Sequence, residues 1–168
     1  MLHYKLDDPV GFTDLIARGT SWNIYNNHNN TNMPSTLVAT GGYYDGDKIY
    51  RETCTPTDNS LNSIKTTLHS HGVYNWGRTF TANTKYVFWI YYKPISHPDT
   101  VCGGTASNIG GWTEIPPVAV GGGWYRVGQY RNGTVTSDKT DSIFVSFKVP
   151  SATTGTPIII DWASPHLL

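Results

Sequence analysis

The stretch Lys85–Pro94, KYVFWIYYKP, reads as a β-strand that is apolar on both of its sides. Period-2 alternation puts Tyr86, Phe88, Ile90 and Tyr92 on one face and Val87, Trp89 and Tyr91 on the other. An antiparallel strand with one face in a core and one in water alternates apolar with polar residues. This one does not, so its first face belongs in the interior of a sheet protein. Its second face must meet a ligand or lie under a covering segment.

The rest of the chain agrees with an all-β fold. Runs of alternating or apolar residues recur at Thr13–Arg18, Trp22–Tyr25, Thr36–Thr40, Lys48–Cys54, Ile64–His69, Tyr86–Lys93, Ala106–Trp112, Trp124–Arg131, Ser142–Val149 and Ile158–Trp162. Turn-forming clusters separate them: Gly41-Gly42, Asp45-Gly46-Asp47, Pro56-Thr57-Asp58-Asn59, His97-Pro98-Asp99, Gly121-Gly122-Gly123 and Asn132-Gly133. No amphipathic run of helical length stands out, and only Gly11–Arg18 offers a weak helix candidate. Many short strands joined by Gly, Pro and Asn turns predict an antiparallel β-sandwich or barrel.

At 168 residues the chain suits one domain over positions 1–168, with 1–11 as a leader or linker. It reads as a segment of a longer chain, since it starts in mid-pattern and stops on Pro165-His166-Leu167-Leu168. Twelve basic residues balance twelve acidic ones, which argues against a nucleic-acid binder and its basic face. No apolar run approaches the ~20 residues of a membrane span, so membrane insertion is not expected. The 6 Trp and 11 Tyr exceed what a small core requires, and the surplus is a first sign of a stacking surface. Cys54 and Cys102 are expected to be buried free thiols.

The later strands set the faces. In Trp124–Arg131 one face holds Trp124, Arg126, Gly128 and Tyr130, and the other Tyr125, Val127, Gln129 and Arg131. The first set combines aromatic rings, a cation and a space-making glycine, as a contact surface would.

The order of these strands resembles a known family. Thr84-Lys85-Tyr86-Val87-Phe88 with Tyr91–Lys93, then Gly123–Val127, then Ile158–Trp162, resemble the strands of jelly-roll carbohydrate-binding modules. The likeness is to those embedded in bacteriophage tail, fibre and baseplate proteins. Asp14-Leu15-Ile16-Ala17-Arg18-Gly19 is similar to that family's opening strand, and the resemblance runs over residues 12 to 168. The segments Asn26–Met33 and His97–Gly111 depart from the pattern. The resemblance implies a jelly-roll β-sandwich that binds saccharides of the bacterial envelope without catalysis. It further implies a place in the virion, in contact with other tail or baseplate subunits, after assembly in the host cytoplasm.

Sugars offer patches of C–H bonds, which aromatic rings cover, and hydroxyls, which planar polar groups grip. Trp89 and Tyr91 beside Arg126 and Tyr130 on a neighbouring strand would make such a platform. A second group lies in loops: His71, Tyr74 and Trp76 within His69–Arg78, joined by Trp112 after Gly110-Gly111. Structural calcium is a speculative addition, because modules of this kind often hold an ion between the first and last strands. Asp14 and Asp161 would supply its carboxylates, the remaining oxygens coming from the backbone. The His69-x-His71 pair lacks the further ligands that zinc requires.

Catalysis is not expected. Glycoside hydrolysis uses a spaced carboxylate pair, but the only glutamates are Glu52 and Glu114 and most aspartates sit in turn contexts. No nucleophile elbow or phosphate loop is present. Two alternatives remain open: a ligand-free assembly domain of the same tail machine, and a binding module attached to a secreted glycoside hydrolase.

Overall fold

The computed structural model describes residues 35–66, 69–70, 78–106, 111–132, 137, 139–141 and 143–168. Within them the chain forms β1 (Ser35–Tyr44), β2 (Asp47–Cys54), α1 (Asp58–Thr66), β3 (His69–Ser70), β4 (Arg78–Phe80) and β5 (Lys85–Pro94). There follow β6 (Val101–Ala106), β7 (Trp112–Gly121), β8 (Trp124–Asn132), β9 (Lys139–Asp141), β10 (Ile143–Lys148) and β11 (Ile158–Leu167). The expected strands Thr13–Arg18 and Trp22–Tyr25 lie outside the described residues.

All pairings among the described residues are antiparallel. A six-stranded sheet runs β1-β2-β11-β5-β8-β7, a three-stranded one runs β3-β10-β6, and β4 pairs with β9. The main core joins the layers. Phe88, Ile90, Tyr92, Val127, Ile158, Ile160 and Trp162 of the large sheet meet Cys102, Phe147, Phe80 and Ile64 of the other elements. The β-sandwich-like character follows from the alternation that the sequence displays, and β5 is central, flanked by β11 and β8.

Two hairpins show how turn chemistry fixes register. Asp45 and Gly46 both have positive φ, 49° and 82°, between β1 and β2, as a two-residue Asp-Gly hairpin turn demands. Gly122 and Gly123 play the same part between β7 and β8, at 59° and 81°.

Three expectations need correction. Of the run Ile64–His69, read as a strand, Ile64–Thr66 form the end of α1 and His69 opens the short β3, while 67–68 lie outside the described residues. Thr57 and Ser60 make a reciprocal cap. Ser60 Oγ accepts from the Thr57 backbone N–H at 2.9 Å, while Thr57 O accepts from Ser60 N and Leu61 N at 3.0 Å each. Ile64 then turns inward, wholly buried, and Lys65 lies in the last turn. A capped turn with two apolar residues on one side, Leu61 and Ile64, outweighs the β-leaning composition of the segment.

Of the run Ala106–Trp112, also read as one strand, Ala106 closes β6, Trp112 opens β7 and Gly111 belongs to neither, while 107–110 lie outside the described residues. Gly103-Gly104 masked β6, and Pro116-Pro117 masked β7, yet β7 is the outer strand, where proline is tolerated. The register between β7 and β8 slips between Ile115 and Val118, at that Pro-Pro step. Finally, the last strand is longer than expected, because β11 continues through Pro165-His166-Leu167 with a register shift between Ala163 and His166. His166 and Leu167 are fully buried.

Candidate functional site

Cross-strand register places Val87 opposite Tyr130, Trp89 opposite Gly128 and Tyr91 opposite Arg126. Directly paired residues of an antiparallel ladder share a face. Trp89, Tyr91, Arg126 and Tyr130 therefore occupy the same side of adjacent strands, away from the main core. Gly128 sits beneath Trp89: a Cβ there would lie 2.1 Å from Phe88 O and 3.0 Å from Trp89 Cβ.

This face is covered. Trp89 is 8% exposed and Tyr91 1%, and with Trp124 and Ala163 they form a second, smaller core. Its cover is the β1–β2 hairpin tip. Tyr44 stacks on Trp124 with ring centroids 4.5 Å apart and leans on Tyr91 at 4.8 Å. The His166 ring stacks on Trp89 at 5.1 Å, and its Nε2 lies 3.5 Å from Asp45 Oδ2. The tip reaches across because β1 carries extra residues between Ala39 and Tyr43, around Gly41 (φ 79°), which bend the hairpin.

A saccharide ring cannot lie on Trp89 and Tyr91 while Tyr44 and His166 occupy those positions. The platform expected from alternation is thus a minor core in this structure. Arg126 and Tyr130, on the same face, are only half-buried.

Of the loop set, His71, Tyr74 and Trp76 lie outside the described residues. Trp112 is described. It opens β7 opposite Arg131, half-buried, with its ring edge-on to Phe80 at 5.7 Å. Phe80 in turn meets Tyr86 edge-on at 5.0 Å. These rings gather at the end of the sandwich where β5 and β7 begin and β8 ends.

Of the proposed calcium pair, Asp161 alone lies among the described residues. Asp161 is held by Arg51: Arg51 Nε and Nη2 donate to its two carboxylate oxygens at 2.8 and 3.0 Å. An ion at Asp161 would have to displace this two-pronged pair. Asp14 lies outside the described residues, among which no cluster of three metal-ligating side chains occurs. Cys54 and Cys102 are free and buried, as expected. Burial pushes the Cys54 thiol far above its ordinary range, and the nearby Glu52 adds to the effect.

The other face of β8 carries polar groups of its own. Gln129 and Arg131 point inward beside Val127, opposite Phe88 and Tyr86 of β5. The guanidinium carbon of Arg131 stands 5.9 Å from the Phe80 centroid and 5.8 Å from that of Tyr86. The signal was legible as two polar residues in phase with a core valine. Among the described residues no helix is long and apolar enough to cross a membrane. Comparison with protein-family models, curated proteins and solved structures found no match to this chain.

Proposed function

We propose that this chain is a non-catalytic carbohydrate-binding module of jelly-roll type, part of a phage tail or baseplate protein, which attaches the virion to saccharides of the bacterial envelope. The observation that carries the reading is the aromatic group at one end of the sandwich. Phe80 meets both Trp112 and Tyr86 edge to face there, with half-buried Trp112 at the margin of the main core, and the buried Nε1 of Trp112 has no hydrogen-bond partner among the described residues. Indole presents an apolar body and a donor together, which suits a surface of C–H bonds and hydroxyls. The resemblance of the β5, β8 and β11 sequences to such modules supports the same reading. Single-site affinity for sugars is weak, and repeated copies on a symmetric virion raise it through avidity.

The test is binding of a fluorescent fusion to bacterial envelope polysaccharides and whole cells, with Trp112→Ala and Trp89→Ala compared. Trp112→Ala should remove most binding while its melting temperature stays within a few degrees of wild type. Trp89→Ala should unfold or strongly destabilise the domain, because its ring belongs to the second core. Binding that survives Trp112→Ala in full would remove the ligand from this end.

One observation favours the assembly-domain alternative. The outer strands of the large sheet expose Val38 and Tyr43 on β1 and Val118 and Val120 on β7. Exposed apolar residues on strand edges suit pairing with another chain. Val118→Lys with Val120→Lys would disrupt such pairing, visible as a fall in sedimentation coefficient, without altering a saccharide site.

A further inference from the structure

The inner face of β8 buries two polar side chains that nothing around them uses. Gln129 is 0% exposed and Arg131 1%. Neither the amide of Gln129 nor any of the three guanidinium nitrogens of Arg131 has a hydrogen-bond partner among the described residues. The Nε1 of Trp112, across the ladder from Arg131, is in the same condition. Phe80 and Tyr86 attract the guanidinium through their ring faces, yet they take none of its N–H groups in a conventional hydrogen bond. Buried charges are ordinarily paired, and buried amides are ordinarily bonded. Three unused groups side by side weaken a fold. Such a weakness is retained where a ligand supplies the missing partners.

We propose that Arg131, Gln129 and Trp112 form the subsite for a carboxylate-bearing saccharide residue, an inference that rests on the carbohydrate-binding reading above. The guanidinium offers paired, coplanar N–H groups that match a carboxylate two to two, and its single positive charge is balanced by one anionic group. Gln129 both donates and accepts, as a neighbouring sugar hydroxyl does. Trp112 Nε1 supplies one more donor, and the rings of Phe80 and Tyr86 flank the guanidinium as apolar walls.

The subsite is closed in this structure, so ligand entry requires a local opening. Phe80 sits on β4, which is three residues long and, among the described residues, pairs with the three residues of β9. A two-stranded sheet of that size is among the least stable parts of a fold. β4 and β9 lie outside the six-stranded sheet, so this strip can shift while the strand carrying Arg131 stays paired.

The test is titration calorimetry of the intact chain with glucuronate- and galacturonate-bearing bacterial polysaccharides, their carboxyl-reduced neutral forms, and a polyol phosphate polymer. Wild type should bind the acidic forms at least about tenfold more tightly than the reduced forms, as loss of a bidentate charged pair implies. Arg131→Lys should lose about as much, since an ammonium lacks the planar fork. Arg131→Met should abolish the acidic preference while its melting temperature equals or exceeds that of wild type, because an unpaired buried charge is gone. Equal affinity for acidic and reduced forms would overturn the carboxylate subsite and leave the carbohydrate reading standing. Preference for the polyol phosphate would overturn it in favour of phosphate recognition. No binding to any polymer would overturn both readings. A melting temperature lowered by many degrees in Arg131→Met would assign Arg131 to the architecture and overturn the subsite.

Discussion

Gly128 gives a stringent test of the packing between the two central strands. An alanine Cβ at this position would lie 2.1 Å from Phe88 O and 3.0 Å from Trp89 Cα, whereas ordinary contact begins near 3.4 Å. The obstructing atoms are backbone, so no side-chain rotation relieves them. β5 and β8 would have to part by more than an ångström at the middle of their ladder. Overpacking costs about 1–3 kcal/mol, and the upper end applies where backbone must move. Replacing glycine lowers the entropy of the unfolded chain and returns about 0.4–1 kcal/mol. Gly128→Ala should therefore lose about 2 kcal/mol, a fall in melting temperature of roughly 4–8 °C for a chain of this size. Urea titration followed by tryptophan fluorescence measures it, with Gly42→Ala as the control. There the first atom met is the Ile49 Cδ1 tip at 3.0 Å, which can swing aside, so the loss should stay below about 1 kcal/mol. If Gly128→Ala is as stable as wild type, the close approach of β5 and β8 is not a feature of the protein, and the account of Trp89 packing fails with it.

Phe147 is fully buried between the layers, so Phe147→Ala should destabilise by roughly 3–5 kcal/mol in the same titration; a loss under 1 kcal/mol would contradict the two-layer core. Neither Cys54 nor Cys102 should react with a thiol reagent at pH 8 in the native state, and two groups should appear in denaturant; protection that lasts until a reductant is added would reveal a disulfide. The Asp99 carboxylate is held below its ordinary range, chiefly because Ser151 donates its hydroxyl to it at 2.6 Å and also its backbone N–H at 2.8 Å. A carboxylate whose folded pKa is lowered adds stability that is present above the unfolded value, about 4, and lost as pH falls through the folded value. Asp99→Asn should thus flatten the wild-type decline of stability below about pH 4, and an unchanged slope would show that the Ser151 contacts do not favour the charged form.

The sequence by itself determined the β character, the strand faces and much of the strand positions. Period-2 alternation in β5, β8 and β10 and the Asp45-Gly46 and Gly-Gly turns are local facts, and local geometry follows from them. The helix was legible too, in the Thr57-x-x-Ser60 cap, but the β-leaning residues after it obscured the signal. What alternation could not supply was the identity of the neighbour across each face. Trp89 and Tyr91 share a side with Arg126 and Tyr130 as parity requires, yet whether that side meets solvent was decided by Tyr44. That residue lies more than forty positions upstream and arrives through a bend at Gly41. In the same way, parity assigns Gln129 and Arg131 to the core, but only the assembled layers leave their polar atoms unused among Phe80, Tyr86 and Trp112. The physical reason is common to both cases. Alternation is fixed by backbone geometry within a strand, whereas burial and hydrogen-bond partnership depend on which distant segments close over it.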